Sequence, residues 1–243
     1  MIALILAAGY GTRLYPLAQN QAKALLPVKG RPILRYILDK LEAPSLDLKQ
    51  VILVSNHKFA DNFRTWMAQE KFPIPATILD DGSTSEENRL GSIGDFVFAL
   101  KSCKVDDDLL LLGSDNLFPD PLAGFLAFAR GKSPAITLGA YELPELSLAS
   151  RYGVLTVNSE WQITGLEEKP ANPTSSLISM AAYFFPRNQL AKVLEYDGSA
   201  DTLGSFIHWL VPRQAVFAYR FQGPWLDIGD MKSYTQAQEL FIP

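Results

Sequence analysis

Five short apolar runs, none of them broken by alternating polar residues, constrain this chain more than any other feature. They are "IALILAA", "QVILVSN", "ATILDD", "DLLLLGS" and "AITLGAY". A half-exposed strand alternates apolar with polar; runs this continuous read as strands buried on both faces. Between them, "RPILRYILDKLEA" and "FADNFRTWMAQEK" place apolar residues at helical spacing, and Pro32 suits a first helical turn. In "FPDPLAGFLAFARG" the expected boundaries are Asp120 as N-cap, Pro121 at the first helical position and Gly131 just past the end. Strands alternating with helices imply right-handed crossovers. The expected fold is therefore α/β: a three-layer, Rossmann-like mixed sheet, mostly parallel, with helices on both faces.

After about residue 140 the texture changes. "YGVLTVNSEWQITGLEEKP" and "LISMAAYFF" read as strands joined by short turns, an antiparallel addition. Two helical stretches follow, "RNQLAKVLEY" and "LGSFIHWLV", and the chain returns through "AVFAYRF" to "PWLDIGDMKSYTQAQEL". No linker, charge block or repeat divides it. Residues 1–243 are expected to form one domain, a nucleotide-binding half over about 1–140 and a lid-like half over about 141–243. No further catalytic or β-helical domain is expected after the last helix.

Net charge is −4, so no overall positive field draws the chain to nucleic acid or anionic lipid. Cys103 is the single cysteine, which excludes an intramolecular disulfide and fits a reducing compartment. No apolar run approaches the roughly 18 residues of a membrane helix, and "MIALILAAG" lacks the charged start of a signal peptide. The expected location is cytoplasmic, and the number of associating copies stays open. His57 and His208 are the only histidines; with Cys103 they cannot build a Cys/His zinc site, and Ser-His hydrolysis is disfavoured. That leaves Asp, Glu, Lys and Arg, which suit phosphates and hard cations.

"LAAGYGTRLYPL" ends the first apolar run in bare backbone and then an arginine. A P-loop would need Gly-x-x-x-x-Gly-Lys-Ser/Thr, which is missing. A dinucleotide fingerprint fits Gly9 and Gly11 but meets Leu14 in place of its third glycine, the one that lets the helix pack close to the strand, which counts against it. The remaining functional reading is a glycine-rich loop whose amides hold a triphosphate, with Arg13 as a charge-assisted clamp; a plain strand-to-loop turn is the bland alternative. Asp115 ends the buried run "DLLLLGSD", at the edge where open α/β sheets bind ligands, although Asp is also a common turn residue.

The continuation narrows the choice. "LAAGYGTRLYPL" followed by "AKALLPVKGRPIL" resembles the opening of the sugar-1-phosphate nucleotidylyltransferases, with Ala22 where a proline usually precedes the lysine, Lys23 here. "GSDNLF", "YGVL", "EEKP" and "WLDIGDMKSY" are similar to later segments of that family, in the same order. The resemblance implies the nucleotide-diphospho-sugar transferase fold and transfer of a nucleotidyl group from an NTP to a sugar 1-phosphate, with Mg²⁺ as cofactor. It further implies contact of the nucleotide with Leu6, Ala8, Gly9, Gly11, Thr12, Arg13, Lys23 and Gly91. Arg13, Lys23, Asp115 and Asp227 would be catalytic, the two aspartates as metal ligands; Gly153, Glu168 and Lys169 would hold the sugar phosphate.

Two departures bear on specificity. Where relatives acting on thymidylyl or uridylyl donors present a base-reading glutamine, this chain has "DDGSTSEENRLGSIGD". Asn88 or Arg89 could take that role, while Glu86 and Glu87 read as a solvated loop. Ala181 in "SMAAYFF" replaces a glycine usual near the sugar. The expected pair is dTTP or UTP with glucose 1-phosphate. The alternatives are a cytidylyl or guanylyl donor with another phosphorylated polyol, choline or mannose, and a silent nucleotide-binding regulatory subunit. Retention of Arg13, Lys23, Asp115, Lys169 and Asp227 argues against the silent subunit.

Overall fold

A computed structural model describes residues 1–199 and 201–240. The elements run in the order β1 (Ile2–Leu6), β2 (Pro27–Val28), β3 (Arg31–Pro32), α1 (Ile33–Leu41), β4 (Gln50–Ser55), α2 (Ala60–Gln69), β5 (Ala76–Asp80), α3 (Gly91–Cys103) and β6 (Leu109–Gly113). The chain continues through β7 (Asn116–Leu117), α4 (Leu122–Gly131), β8 (Ile136–Glu142), β9 (Gly153–Val157), β10 (Ile163–Glu168) and β11 (Leu177–Phe185). It closes with α5 (Leu190–Glu195), α6 (Leu203–Leu210), β12 (Val216–Arg220), β13 (Leu226–Asp227) and α7 (Met231–Leu240).

The unbroken apolar runs have the predicted cause. On β1, Ala3 and Ile5 face one core with Val51, Leu53, Leu110 and Leu112, while Leu4 faces a second with Ile52, Val54, Leu109 and Leu111. Each strand needs apolar residues at every position because both faces are covered. The first face is covered by α1, α2 and α4, through Leu34, Leu38, Phe63 and Phe125. The second is covered by α3, α5 and α6, through Phe96, Val193, Phe206 and Ile207. Filling such a position with a branched or aromatic side chain stabilises the fold by roughly 1.5–3 kcal/mol.

Strands β5, β4, β1 and β6 are parallel neighbours. Strand β11 then runs antiparallel to β6, pairs with β8 and β9 on its other side, and so joins the parallel part to the rest. The sheet is mixed, as expected. One detail differs: "AITLGAY" does not extend the parallel series but becomes β8, antiparallel to β11 and parallel to β12. The inserted strand comes from forty residues further along the chain than β8, and local pattern carries no sign of such an insertion. At α4 the boundary also moves slightly: Pro121 is the N-cap and Gly131 the last helical residue.

Candidate active site

The carboxyl ends of β1, β4 and β6 finish level, with Leu6 opposite both Val54 and Gly113. A cavity of about 610 Å³ opens just beyond them, where open α/β sheets take their ligands and within the usual size of small-molecule sites. Leu6, Ala8 and Gly9 line it from the end of β1. Gly11 has φ +63°, and a Cβ there would stand 3.1 Å from Ala18 Cβ and 3.3 Å from Lys23 Cβ. Only glycine lets the loop take that conformation while lying on the Lys23 stem. Thr12 begins a single 3-10 turn and is exposed; Leu14 is fully buried against Leu26, Leu117 and Ile228. Arg13, between them, stays exposed on the cavity wall.

After β6 the chain turns through Ser114 and Asp115 into β7, which pairs with β13. This ribbon sets Asp227 opposite Asn116, and Ile228 N donates to Asp115 O at 2.9 Å. Two aspartates distant in sequence thus occupy adjoining rungs, and both line the cavity. Lys23 Nζ donates to Asp115 Oδ2 at 2.5 Å, Asn116 Nδ2 donates to Asp115 Oδ1 at 2.8 Å, and Trp225 Nε1 donates to Asn116 Oδ1 at 2.7 Å. A buried indole therefore fixes the amide that fixes the carboxylate. A Cβ on Gly229 would stand 3.5 Å from Asp227 Oδ2 and 3.6 Å from Arg13 Nη2, so guanidinium and carboxylate both lie against that glycine.

The two carboxyls titrate in opposite directions. Burial alone would raise Asp115, but the charge and hydrogen bond of Lys23, with Asn116, hold it below the usual range. Burial and then the Asp115 charge push Asp227 up to about 7, against the pull of Lys23, Arg13 and Arg151. A cavity-facing carboxyl with such proton affinity is one that a cation would occupy in the proton's place. Two carboxylates with open space beside them suit Mg²⁺, which takes one or two protein carboxylates and fills its other positions with water and phosphate oxygens. Among the described residues no group of three or more His, Cys, Asp or Glu is arranged around a metal position.

On the opposite wall, Glu168 ends β10 with its carboxylate wedged between two glycines. A Cβ on Gly153 would stand 3.1 Å from Oε2, and one on Gly204 would collide with it. Burial raises the Glu168 carboxyl, Lys169 lowers it and Asp201 raises it again. Lys169 adopts a left-handed φ of 47°, tied by its N–H to Tyr152 O at 3.0 Å, and its ammonium is 4.0 Å from Glu168 Oε1. A non-glycine residue in that conformation is strained by about 1–3 kcal/mol, and such strain concentrates at functional sites.

Of the residues the sequence pointed to, Lys23, Gly11 and Thr12 do not line the cavity. Lys23 serves Asp115, and Gly11 lies over Lys23. The base-reading candidates are already engaged. Asn88 Oδ1 accepts from Thr84 N and Ser85 N, its Nδ2 donates to Thr84 Oγ1, and Arg89 pairs with Asp201 at 2.6 Å. Ala181 fills the space a side chain at Gly113 would need, its methyl 2.7 Å from that position. His57 and His208 bind Asp80 and Leu166 O, off the cavity. Sequence reasoning missed the supporting roles of Asn116 and Trp225, and it missed Asp95. The signal for Asp95 was available: an acid between Ile93 and Phe96 at a buried helical position.

The nucleotidyl transferase family model matches residues 2–242. A Sulfolobus acidocaldarius homologue named for mannose-1-phosphate guanyl transfer is 32% identical over 232 residues, covering 96% of this chain and 60% of its own length. Glucose-1-phosphate adenylyltransferase of Geobacillus stearothermophilus is 27% identical over 251 residues, covering 97% and 64%. The chain thus spans about three-fifths of the length of these relatives. Apo-UDP-glucose pyrophosphorylase shares the fold, with a TM-score of 0.82 at 17% identity over 98% of this chain and 96% of that one. No described helix is long and apolar enough to cross a membrane. With a match running almost end to end, the chain belongs to the nucleotidyl transferase family.

Proposed function

We propose that this chain transfers a nucleotidyl group from an NTP to a hexose 1-phosphate, forming a nucleotide sugar and releasing pyrophosphate. The observation that carries the reading is the Asp115–Asp227 pair on adjoining rungs of one ribbon, with Lys23, Arg13 and the Gly9–Gly11 loop beside it. An oxygen of the sugar phosphate attacks the α-phosphorus in line, and the bond from that phosphorus to the pyrophosphate oxygen breaks. Both reactants are anions, so positioning and charge neutralisation supply the catalysis. A phosphate monoester, with its second pKa near ~6, is already the nucleophile at neutral pH. No general base is required, in keeping with two histidines that bond elsewhere.

The loop amide of Gly9 with the Arg13 guanidinium holds the triphosphate, while Gly11 shapes the loop over the Lys23 stem. Lys23 and Asn116 keep Asp115 ionised and oriented. Asp115 and Asp227 would hold Mg²⁺, which when bound supplies electrophilic charge and a template for the reacting phosphates. Lys169 captures the acceptor phosphate, and Glu168 accepts hydrogen bonds from sugar hydroxyls. On this reading the segment before about residue 140 binds the nucleotide and the remainder binds the acceptor. Glucose 1-phosphate is the first acceptor to try, and mannose 1-phosphate the second; relatives are named for each. The test is pyrophosphate release from purified protein with Mg²⁺, crossing GTP, ATP, CTP, UTP and dTTP with hexose, polyol and choline phosphates. Turnover confined to one hexose 1-phosphate is expected. Tight nucleotide binding without turnover in any combination would contradict the proposal and favour a regulatory subunit.

A further inference from the structure

One polar group on the cavity wall has no part in the chemistry above. Asp95 follows Gly91 by one turn of α3, on the same face, and both line the cavity. Asp95 is only 6% exposed, and its Oδ1 is buried without a hydrogen-bond partner; Oδ2 of neighbouring Asp81 is in the same condition. The other Asp81 oxygen accepts from Ser83 N and Ser83 Oγ, both at 2.7 Å, and Asp81 N donates to Ser55 O at 2.9 Å. Asp81 is thereby fixed as a support. Burial, then the charge and hydrogen bond of Asp81, push Asp95 up to about 8, opposed only by the charge of Arg89.

Neither Asp95 Oδ1 nor Asp81 Oδ2 meets a donor among the described residues, so the oxygens of Asp95 are offered as acceptors. Its raised proton affinity reflects that lack, which a ligand N–H would meet in the proton's place. Packing does not explain an acid here, since Ile93 and Phe96 on either side are buried apolar residues and an unpaired buried acid is costly. The same cavity is lined by Leu6, Ala8 and Gly91, the last at φ +78° and without a Cβ. Small apolar groups and bare backbone suit the face of a flat ring.

We infer that Asp95, buttressed by Asp81, reads the base of the nucleoside triphosphate and favours guanine, whose N1–H and N2–H₂ donors lie side by side. Uracil and thymine offer one N–H flanked by two carbonyl oxygens, which an acceptor-only acid repels. Adenine and cytosine, each with an amino group beside a ring acceptor, fall between. The inference rests on the nucleotidyl transfer proposed above and adds its donor class.

The experiment is kcat/KM for GTP, ATP, CTP, UTP and dTTP with a hexose 1-phosphate and Mg²⁺, in the wild type and in Asp95→Asn. Wild-type protein should prefer GTP over UTP and dTTP by roughly 10- to 100-fold, the discrimination of one bidentate base contact. Asp95→Asn offers a donor and an acceptor together, which match the N3–H and O4 edge of uracil and thymine. It should lower kcat/KM for GTP by a similar factor, mainly through KM, and raise the relative use of UTP and dTTP. An Asp95 that merely packs would change the unfolding temperature and leave the nucleotide ratios unmoved, which would overturn the assignment. Equal or better wild-type use of UTP or dTTP overturns it as well, even if the variant does not fold. Turnover with no nucleotide at all overturns the transfer reading and this inference together, whereas turnover with the wrong preference overturns the base assignment alone.

Discussion

Two pairs of aspartates stand beside the same cavity, one on a strand ribbon and one joining a loop to a helix, and their surroundings treat them differently. Asp115 and Asp227 lie among Lys23, Arg13 and Arg151, so one carboxyl is held below the usual range while burial and its neighbour push the other up to about 7. Asp95, packed beside Asp81, has only Arg89 to oppose its rise, and Arg89 is already paired with Asp201, so its carboxyl is pushed up to about 8. On the readings proposed above, identical side chains would serve as a cation seat on one side and a hydrogen-bond acceptor on the other. Neighbouring cations, and not the acids themselves, decide which.

The largest expected effect breaks the first pair. Asp115→Asn or Asp227→Asn should each cut kcat for pyrophosphate release by ~100-fold or more, as loss of a principal electrostatic stabiliser does. Rates within a few-fold of wild type would remove the cation seat from the account. Next, Lys169→Ala should raise KM for the sugar phosphate by about 10-fold, through loss of a charge-assisted contact, with KM for the NTP unchanged. Steady-state kinetics varying each substrate in turn separates the two.

A third test sharpens the contrast through stability. The folded state raises Asp227 above its ordinary 3.8, so its favourable contribution is complete below that value and is lost as pH rises through about 7. Without divalent cation, Asp227→Asn should therefore melt a few degrees above the wild type at pH 8, and the gap should close at pH 4. Added Mg²⁺ with nucleotide should narrow the gap at pH 8 by stabilising the wild type. Thermal scans at the two pH values measure this; a gap independent of pH would show that repulsion in the first pair is not its cause. The smallest effect comes from Trp225→Phe, which removes the donor to Asn116 at 2.7 Å. It should cost about 1 kcal/mol in denaturant unfolding and lower kcat only a few-fold.

What was legible in the sequence follows what is local. The runs that became β1, β4, β5 and β6 announced themselves because two covered faces demand apolar residues at every position. The Gly9–Arg13 turn was legible because bare backbone followed by a cation has few other uses. Insertion of β11 between β6 and β8 was not legible, since pairing partners separated by forty residues leave no periodic trace. Lys23 was readable as a phosphate ligand by resemblance, but its grip on Asp115 depends on how the Gly11 loop folds over its stem. The buttress of Trp225 and Asn116 joins distant segments and shows only in three dimensions. Asp95 was readable in principle as a charge set among buried helix positions, yet its partner Asp81 lies across a loop.

The central claim is that one divalent ion is shared by Asp115 and Asp227 beside the nucleotide. A crystal structure with Mg²⁺ and a non-hydrolysable nucleoside triphosphate tests it most directly. The account predicts an ion about 2.1 Å from an oxygen of each aspartate and of the nucleotide phosphates. An ion held by the nucleotide alone, with both carboxyls turned away, would contradict it.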